Sequence, residues 1–187
     1  MKKMLLVVLT VLVMATVANA TLQLSVNGRT DWPDTQVVLN VSDHAVIDIV
    51  SDAGAPQPNF GVLMLGSGLG TVAGGVNLYP GSLASIRTVV GAELEEYVEA
   101  LAGMGYPGVT SIIWADFGDG AIPPKPLGPG KVVDEVDFHC TGLGEATIWL
   151  IDASSFERYD SQVIHQIPEP ITMVLLGLGG LFLRRRK

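Results

Sequence analysis

Few side chains in this 187-residue sequence have types and spacing that suit catalysis. Asp134 and Glu135 are adjacent carboxylates of the kind that glycosidases use, but adjacency does not place two carboxyl groups across a sugar. Asp116 and Asp119 flank a glycine and have oxygens suited to Ca²⁺, yet the spacing of an EF-hand loop is absent, which favours a simple turn. No serine nucleophile elbow occurs. The sequence therefore predicts no catalytic residue.

The residue types that bind transition metals are sparse and scattered. The three histidines lack metal-ligand spacing: His44, His139 and His165. The one cysteine, Cys140, alternates with Val136 and Phe138, which places all three on one face of a strand and His139 on the other. We therefore expect Cys140 to be a small buried core residue, and we expect neither a metal site nor an intrachain disulfide.

A glycine-rich segment over residues 66–73 matches the pattern G-x-G-x-x-A after an apolar run. In a dinucleotide-binding fold a helix must follow this pattern. Gly74 and Gly75 interrupt any such helix, so the segment is predicted to be a flexible loop. No cofactor is expected.

The aromatic residues suggest one possible ligand surface. Trp149 alternates with Ile148 and Leu150, so one face of a strand carries Thr147, Trp149 and Ile151. If that face is exposed, the indole can stack on a planar ligand or a sugar. If a helix covers the face, Trp149 is core, and the apolar neighbours favour that second interpretation.

These residues have to be positioned by many short strands. Alternating or continuous apolar runs predict strands over 21–26, 36–41, 45–50, 60–65, 111–117, 131–140, 145–152 and 162–166. Residues 92–102 predict a helix, because Leu94, Val98 and Leu101 share one face and Gly103 is placed to end it. Residues 82–86 predict a short helix or turn, and 131–152 a hairpin around 141–144. Four prolines forbid regular structure within 121–130.

Short strands separated by Gly, Pro and Asp predict a mainly β protein, an antiparallel β-sandwich with one inserted helix. The strands at 21–26 and 46–50 and the closing hairpin resemble the immunoglobulin-like, cohesin or carbohydrate-binding sandwiches of secreted bacterial proteins. This resemblance implies a binding module.

The N-terminus has the layout of a secretory signal peptide. Lys2 and Lys3 precede an apolar stretch over 4–17, and Ala18 and Ala20 form an A-x-A cleavage site. We expect signal peptidase to cut after Ala20. The predicted domains are then a signal peptide over 1–20, a β-sandwich over 21–166 and a sorting segment over 167–187.

The C-terminus carries a second targeting pattern. A triplet of Pro168, Glu169 and Pro170 precedes an apolar run over 171–183, and four basic residues end the chain: Arg184, Arg185, Arg186 and Lys187. As a helix the apolar run spans about 20 Å, short of the ~30 Å hydrocarbon core. By the positive-inside rule the basic residues stay cytoplasmic.

This tail resembles the PEP-CTERM sorting signal of bacteria that produce exopolysaccharide. The resemblance implies that the exported protein is held in the inner membrane by its C-terminal helix until an exosortase cuts near the triplet. It also implies a final location at the cell surface or outside the cell, with the triplet as the recognition motif.

Charge narrows the choice of partners. Residues 21–170 hold nineteen acidic side chains against five basic ones, a formal charge of −14. Such a surface repels nucleic acid, which excludes it as a partner. The sequence predicts an exported non-catalytic protein of the cell surface or exopolysaccharide matrix that binds polysaccharide or protein. An exported glycan hydrolase is the alternative.

Overall fold

The computed structural model describes residues 22–30, 37–51, 61–81, 83–118 and 127–168, together with Leu175. The predicted signal peptide and most of the sorting tail lie outside these ranges. The helices and strands are β1 (Leu22–Val26), β2 (Val37–Asn40), β3 (His44–Ser51), β4 (Val62–Ser67), β5 (Gly70–Asn77), β6 (Ser85–Val89), α1 (Ala92–Gly103), β7 (Val109–Asp116), β8 (Gly130–Cys140), β9 (Gly144–Asp152) and β10 (Arg158–Ile167).

The strands form two sheets that face each other. One sheet has four strands in the order β1-β3-β8-β5, and the other has six in the order β2-β10-β9-β4-β7-β6. Neighbouring strands are antiparallel except for β2 and β10, which run parallel. The predicted β-sandwich with one inserted helix is confirmed, and the β2–β10 pair makes the six-stranded sheet mixed.

The main core fills the space between the sheets. Alternation along β3 and β8 turns Ile47, Ile49 and Phe138 inward, where they pack with Met64 and Ile148 of the other sheet. Each such side chain contributes about 1.5–3 kcal/mol when it is fully buried. Cys140 belongs to this core, as predicted, and its burial raises the pKa of the thiol to about 11.

A second, smaller core lies on the outer face of the six-stranded sheet, beneath α1. Leu101 is fully buried there, and Leu94 and Val98 pack beside it, so the apolar stripe predicted for the helix is the face that contacts the sheet. The helix ends at Gly103, where the N–H of Tyr106 donates to the carbonyl of Leu101. The inserted helix therefore covers one outer face of the sandwich.

The predicted hairpin of 131–140 and 145–152 is wrong. β8 pairs with β3 and β5, whereas β9 pairs with β10 and β4 in the other sheet. The glycine-rich connection at 141–143 crosses from one sheet to the other instead of joining neighbours.

Two other predictions are corrected by pairing with distant strands. The segment 66–73, predicted as a loop, contains the end of β4 and the start of β5, and Gly70 lies against the ring of Phe138, where a Cβ atom would come within 2.3 Å of the ring. In the segment 82–86, predicted as a short helix or turn, Leu83 lies in a turn, whereas Ser85 and Ile86 belong to the edge strand β6, which pairs with β7; Ser82 lies outside the described residues.

Side chains tie the open edges of the sheets together. The carboxylate of Asp160 on β10 accepts the backbone N–H of Leu24 on edge strand β1 at 2.7 Å. At the other side, the amide of Asn77 on β5 donates to the carbonyl oxygens of Ser85 at 2.9 Å and Asp116 at 2.7 Å. The contacts at Leu24 and Ser85 occupy backbone groups of the edge strands β1 and β6 that would otherwise be available for edge-to-edge pairing.

Candidate functional site

The predicted ligand face lies under the helix layer. Thr147 and Trp149 are half-buried, and Ile151 is fully buried in the second core. The Trp149 ring meets the ring of Tyr106 edge-on, with centroids 5.6 Å apart. Of the two interpretations that the sequence left open, the structure therefore favours core packing for the indole.

A groove opens beside this covered face. Glu93, Glu96, Tyr97 and Ala100 of α1 form one wall, and Phe156 in the turn between β9 and β10 forms the other, around a volume of about 280 Å³. We refer to these five residues as the aromatic groove. The sequence did not predict it, because its two walls come from segments more than fifty residues apart.

The helix wall of the groove is held by an ion pair and ring contacts. Arg87 of β6 pairs with Glu93 at 2.6 Å and lies 5.1 Å above the ring of Trp114. The Tyr97 ring meets Trp114 edge-on, with centroids 6.1 Å apart. The hydrogen bond from Arg87 lowers the pKa of Glu93, and burial followed by the charge of Glu93 raises the pKa of Tyr97. The groove therefore presents an anionic carboxylate beside a neutral phenol.

The opposite wall is a rigid turn built around Asp152. Its carboxylate accepts the backbone N–H groups of Ser154 and Ser155, both at 2.8 Å, and the hydroxyl of Tyr159 at 2.9 Å. Burial works against ionisation of Asp152, but these hydrogen bonds outweigh it and lower its pKa. Phe156 is held with a φ of 58°, a conformation that costs a bulky residue energy. These bonds hold the backbone of the turn from which the Phe156 side chain extends.

The carboxylates considered for glycosidase chemistry lie elsewhere. Asp134 contacts the ammonium of Lys131 at 2.9 Å, and Lys131 also contacts Asp48 at 2.8 Å. Asp48 is 1% exposed, and burial raises its pKa, whereas the hydrogen bond from Lys131 lowers the pKa of Asp134. Glu135 occupies a bulge with a φ of 59°. A lysine thus bridges Asp48 and Asp134.

The structure brings two of the three histidines together on the outer face of the four-stranded sheet. The rings of His44 and His139 stack with centroids 4.4 Å apart, and Nδ1 of His44 lies 2.8 Å from Asp137. His139 points away from the core, as predicted. His165 lies apart, 3.2 Å from Glu145. Within the described ranges, no three potential ligands are grouped to hold a metal ion.

The other residues that the sequence singled out lie in a turn, directly after β10, or outside the described part of the chain. Asp116 accepts the N–H of Gly118 at 2.8 Å within a turn, while Asp119 lies outside the described residues. Pro168 directly follows β10. Glu169, Pro170, the basic residues 184–187 and the signal-cleavage residues Ala18 and Ala20 lie outside the described part of the chain. Among the helices described, none has the length and apolarity needed to cross a membrane.

Comparison with known proteins identifies the tail. Residues 166–187 match the PEP-CTERM protein-sorting motif. This motif marks proteins that are exported and sorted through the inner membrane to the cell surface or extracellular space. The localisation expected from the sequence is therefore confirmed. No curated protein sequence matches the chain.

Solved structures with similar architecture include several cohesins. A non-cellulosomal cohesin from Archaeoglobus fulgidus has a TM-score of 0.39 and 9% identity, with 83% of this chain and 96% of that chain covered. The CaCohA2 structure from Clostridium acetobutylicum has a TM-score of 0.38 and 15% identity, with coverages of 81% and 94%. Cohesin domains were among the sandwiches that the sequence resembles.

Proposed function

We propose that this chain is a non-catalytic module that is exported, anchored briefly in the inner membrane by its tail, cut by an exosortase near Pro168 to Pro170, and displayed at the cell surface or in the exopolysaccharide matrix. The observation that carries the proposal is the sorting motif over 166–187. The motif begins within the last two residues of β10, so the folded body ends where the sorting segment starts. Signal peptidase removes residues 1–20 in this proposal.

We further propose that the aromatic groove binds extracellular polysaccharide. Tyr97 and Phe156 offer ring surface on which a sugar can pack, and Glu93 and Glu96 offer acceptors for its hydroxyl groups. Thr147 and Trp149 lie on the same sheet face, and Trp149 supports the groove through Tyr106, whose hydroxyl donates to the carbonyl of Phe156 at 2.8 Å. The acidic body favours a neutral glycan over an anionic one.

The sorting half of the proposal is tested by intact mass in membrane and extracellular fractions of the producing cells. We expect a mature form that begins near Thr21 and ends near Pro168 to Pro170. Glu169→Gln should cause an uncleaved form to accumulate in the membrane fraction, whereas the exposed control Glu157→Gln should be processed normally. Processing of Glu169→Gln at the normal rate would count against a recognition role for the triplet.

The binding half is tested by affinity electrophoresis in gels that contain exopolysaccharide from the producing cells. Glu96→Gln changes a groove residue, and Glu99→Gln changes an exposed residue of the same helix outside the groove. We expect retardation of the parent protein to fall in Glu96→Gln and to persist in Glu99→Gln. If both variants are retarded equally, the aromatic groove is not the polysaccharide site, and a protein ligand becomes the candidate.

The same polysaccharide preparation distinguishes binding from the alternative function, hydrolysis of the glycan. If the protein only binds, the number of reducing ends in the polysaccharide stays constant during incubation. If the protein cleaves the glycan, reducing ends accumulate, and a single carboxylate substitution abolishes the increase. Asp134→Asn is the first variant to test, because Asp134 was the sequence candidate for that chemistry.

A further inference from the structure

The end of the sandwich from which the tail leaves is formed by three connected loops. The N–H of Thr141 donates to the carbonyl of Leu69 at 2.7 Å, which joins the β8–β9 connection to the β4–β5 turn. The N–H of Val41 donates to the carbonyl of Ile167 at 3.2 Å, which joins the β2–β3 connection to the last residue of β10. Gly142 donates to the buried side chain of Gln166 at 3.3 Å. These loops therefore form one continuous surface around the exit point of the chain.

Three large apolar side chains on this surface are exposed. The exposed fractions are 43% for Leu69, 54% for Leu143 and 44% for Ile167. The Leu69 side chain lies over Gly142 and Gly144, where added Cβ atoms would come within 3.1 and 3.6 Å of it. Gly144 pairs in turn with Gln166, the neighbour of Ile167. We name these three residues the tail-end patch.

Chain length limits how far the tail-end patch can lie from the membrane. Only Pro168, Glu169 and Pro170 separate Ile167 from the apolar run that begins at Ile171. The four steps from Ile167 to Ile171 span at most about 14 Å when fully extended. The headgroup layer is itself about 5–8 Å thick on each side of the hydrocarbon core. Once the apolar run enters the membrane, the body is held within about 10 Å of the headgroup layer.

We propose that the tail-end patch contacts the outer leaflet of the inner membrane while the tail is anchored, with Leu69, Leu143 and Ile167 at the boundary between headgroups and acyl chains. The contact exists only in the membrane-anchored intermediate, so this inference rests on the proposed function. The occupant is lipid, because the short connection holds the patch close to the bilayer surface while the tail is anchored.

The contact is weak by itself and depends on the tether. A short linker raises the effective concentration of the attached group to about the millimolar range, so a small apolar area is sufficient. Asp43 lies in the β2–β3 connection and Glu145 directly follows Gly144, so this end of the sandwich carries negative charge and anionic lipids do not add attraction. Cleavage near Pro168 removes the tether and, with it, the effective concentration. The processed body then leaves the membrane without any change in its own structure.

The far end of the sandwich supplies a matched control. Leu83 is 63% exposed, and its N–H donates to the carbonyl of Gly118 just beyond the C-terminal end of β7. The N-terminal end of β7 lies beside the β4–β5 turn, where Gly68 donates to Gly108. An eight-residue strand spans roughly 26 Å, so Leu83 lies about that far from the tail-end patch.

The test uses residues 21–187, the form that precedes exosortase cleavage in the proposed function, in phosphatidylcholine vesicles. Both variants carry Cys140→Ala, which removes the native thiol. One adds Leu143→Cys and the other Leu83→Cys, and the new thiol is labelled with an environment-sensitive fluorophore. Thermal unfolding checks that both variants fold. Flotation measures anchoring, and spin labels near the headgroup end of the acyl chains measure contact. We expect both variants to float and only the label at position 143 to be quenched and blue-shifted.

Two results overturn the proposal in distinguishable ways. If both variants float but neither label is quenched, or both are quenched equally, the tail anchors the body without orienting its tail end on lipid. If neither variant floats, the anchoring step of the proposed function fails and the contact fails with it.

Discussion

The hydroxyl of Tyr106 lies 2.8 Å from the carbonyl oxygen of Phe156 and donates a hydrogen bond to it. This bond joins the segment that follows α1, the helix wall of the aromatic groove, to the turn between β9 and β10, which forms the other wall. The bond therefore ties the two sides of the groove together above the second core.

Tyr106→Phe should destabilise the protein by about 1 kcal/mol, because it leaves the Phe156 carbonyl without this donor. Urea unfolding measures the change. Tyr97→Phe is the control, since it keeps the ring contact with Trp114 and should change the free energy of unfolding less. If the two variants are equally stable, the Tyr106 bond does not hold the turn.

Stability should fall in acid because of Asp152. Its folded-state pKa lies below the ordinary value, so its contribution is fully present above the unfolded pKa of about 3.9 and is lost as the pH falls through the folded pKa. The free energy of unfolding, measured from neutral pH downward, should decline less steeply in Asp152→Asn than in the parent. A parental slope in Asp152→Asn would contradict the assignment.

Lys131→Met should destabilise the sandwich by about 2 kcal/mol, because it leaves the carboxylate of Asp48 buried without its cation. The expected loss is smaller than for a fully buried ion pair, because 44% of the Lys131 side chain remains exposed to solvent. The comparison is Arg87→Met in the exposed pair with Glu93, where the loss should stay under about 1 kcal/mol. Chemical denaturation of both variants provides the measurement, and a smaller loss for Lys131 than for Arg87 would refute the ranking.

Gly70→Ala should destabilise the protein by about 1–3 kcal/mol, because the new methyl group overlaps the buried ring of Phe138. Gly103→Ala provides the matched control at the end of α1, where nothing lies within 4 Å of an added Cβ atom. Thermal unfolding should show a lower midpoint for the first variant and an unchanged or higher midpoint for the second. A tolerated Gly70→Ala would mean that β5 can shift away from the core.

Sequence patterns predicted the elements that depend on local alternation. β1, β3, β9 and α1 were found because their apolar side chains repeat with the period of a strand or a helix. β5 was missed because its glycines, Gly70, Gly74 and Gly75, are typical of a loop. Position 70 has to be glycine because it lies against the ring of Phe138, almost seventy residues away in the sequence. Here the close packing of the core overrides local propensity.

The supposed hairpin failed for a different reason. A short glycine-rich connection permits both a hairpin and a crossing between sheets, and only the distant partners of β8 and β9 decide between them. The candidate site shows the same limit. Trp149 was found by alternation, but the aromatic groove combines a helix face with a turn whose Phe156 has a left-handed backbone, which no local pattern indicates.

The parallel pairing of β2 with β10 has a mechanical consequence. β10 lies between β2 and β9, and Leu22 at the start of β1 lies at the end of the sandwich opposite Ile167. A pull on the tail against the N-terminus therefore acts along β10 and loads the hydrogen bonds on both of its flanks in shear, so that they resist together. The folded body should therefore resist unfolding when the membrane-anchored chain is pulled by its tail. Single-molecule pulling through the two termini should require more force than pulling that peels the edge strand β6 from β7.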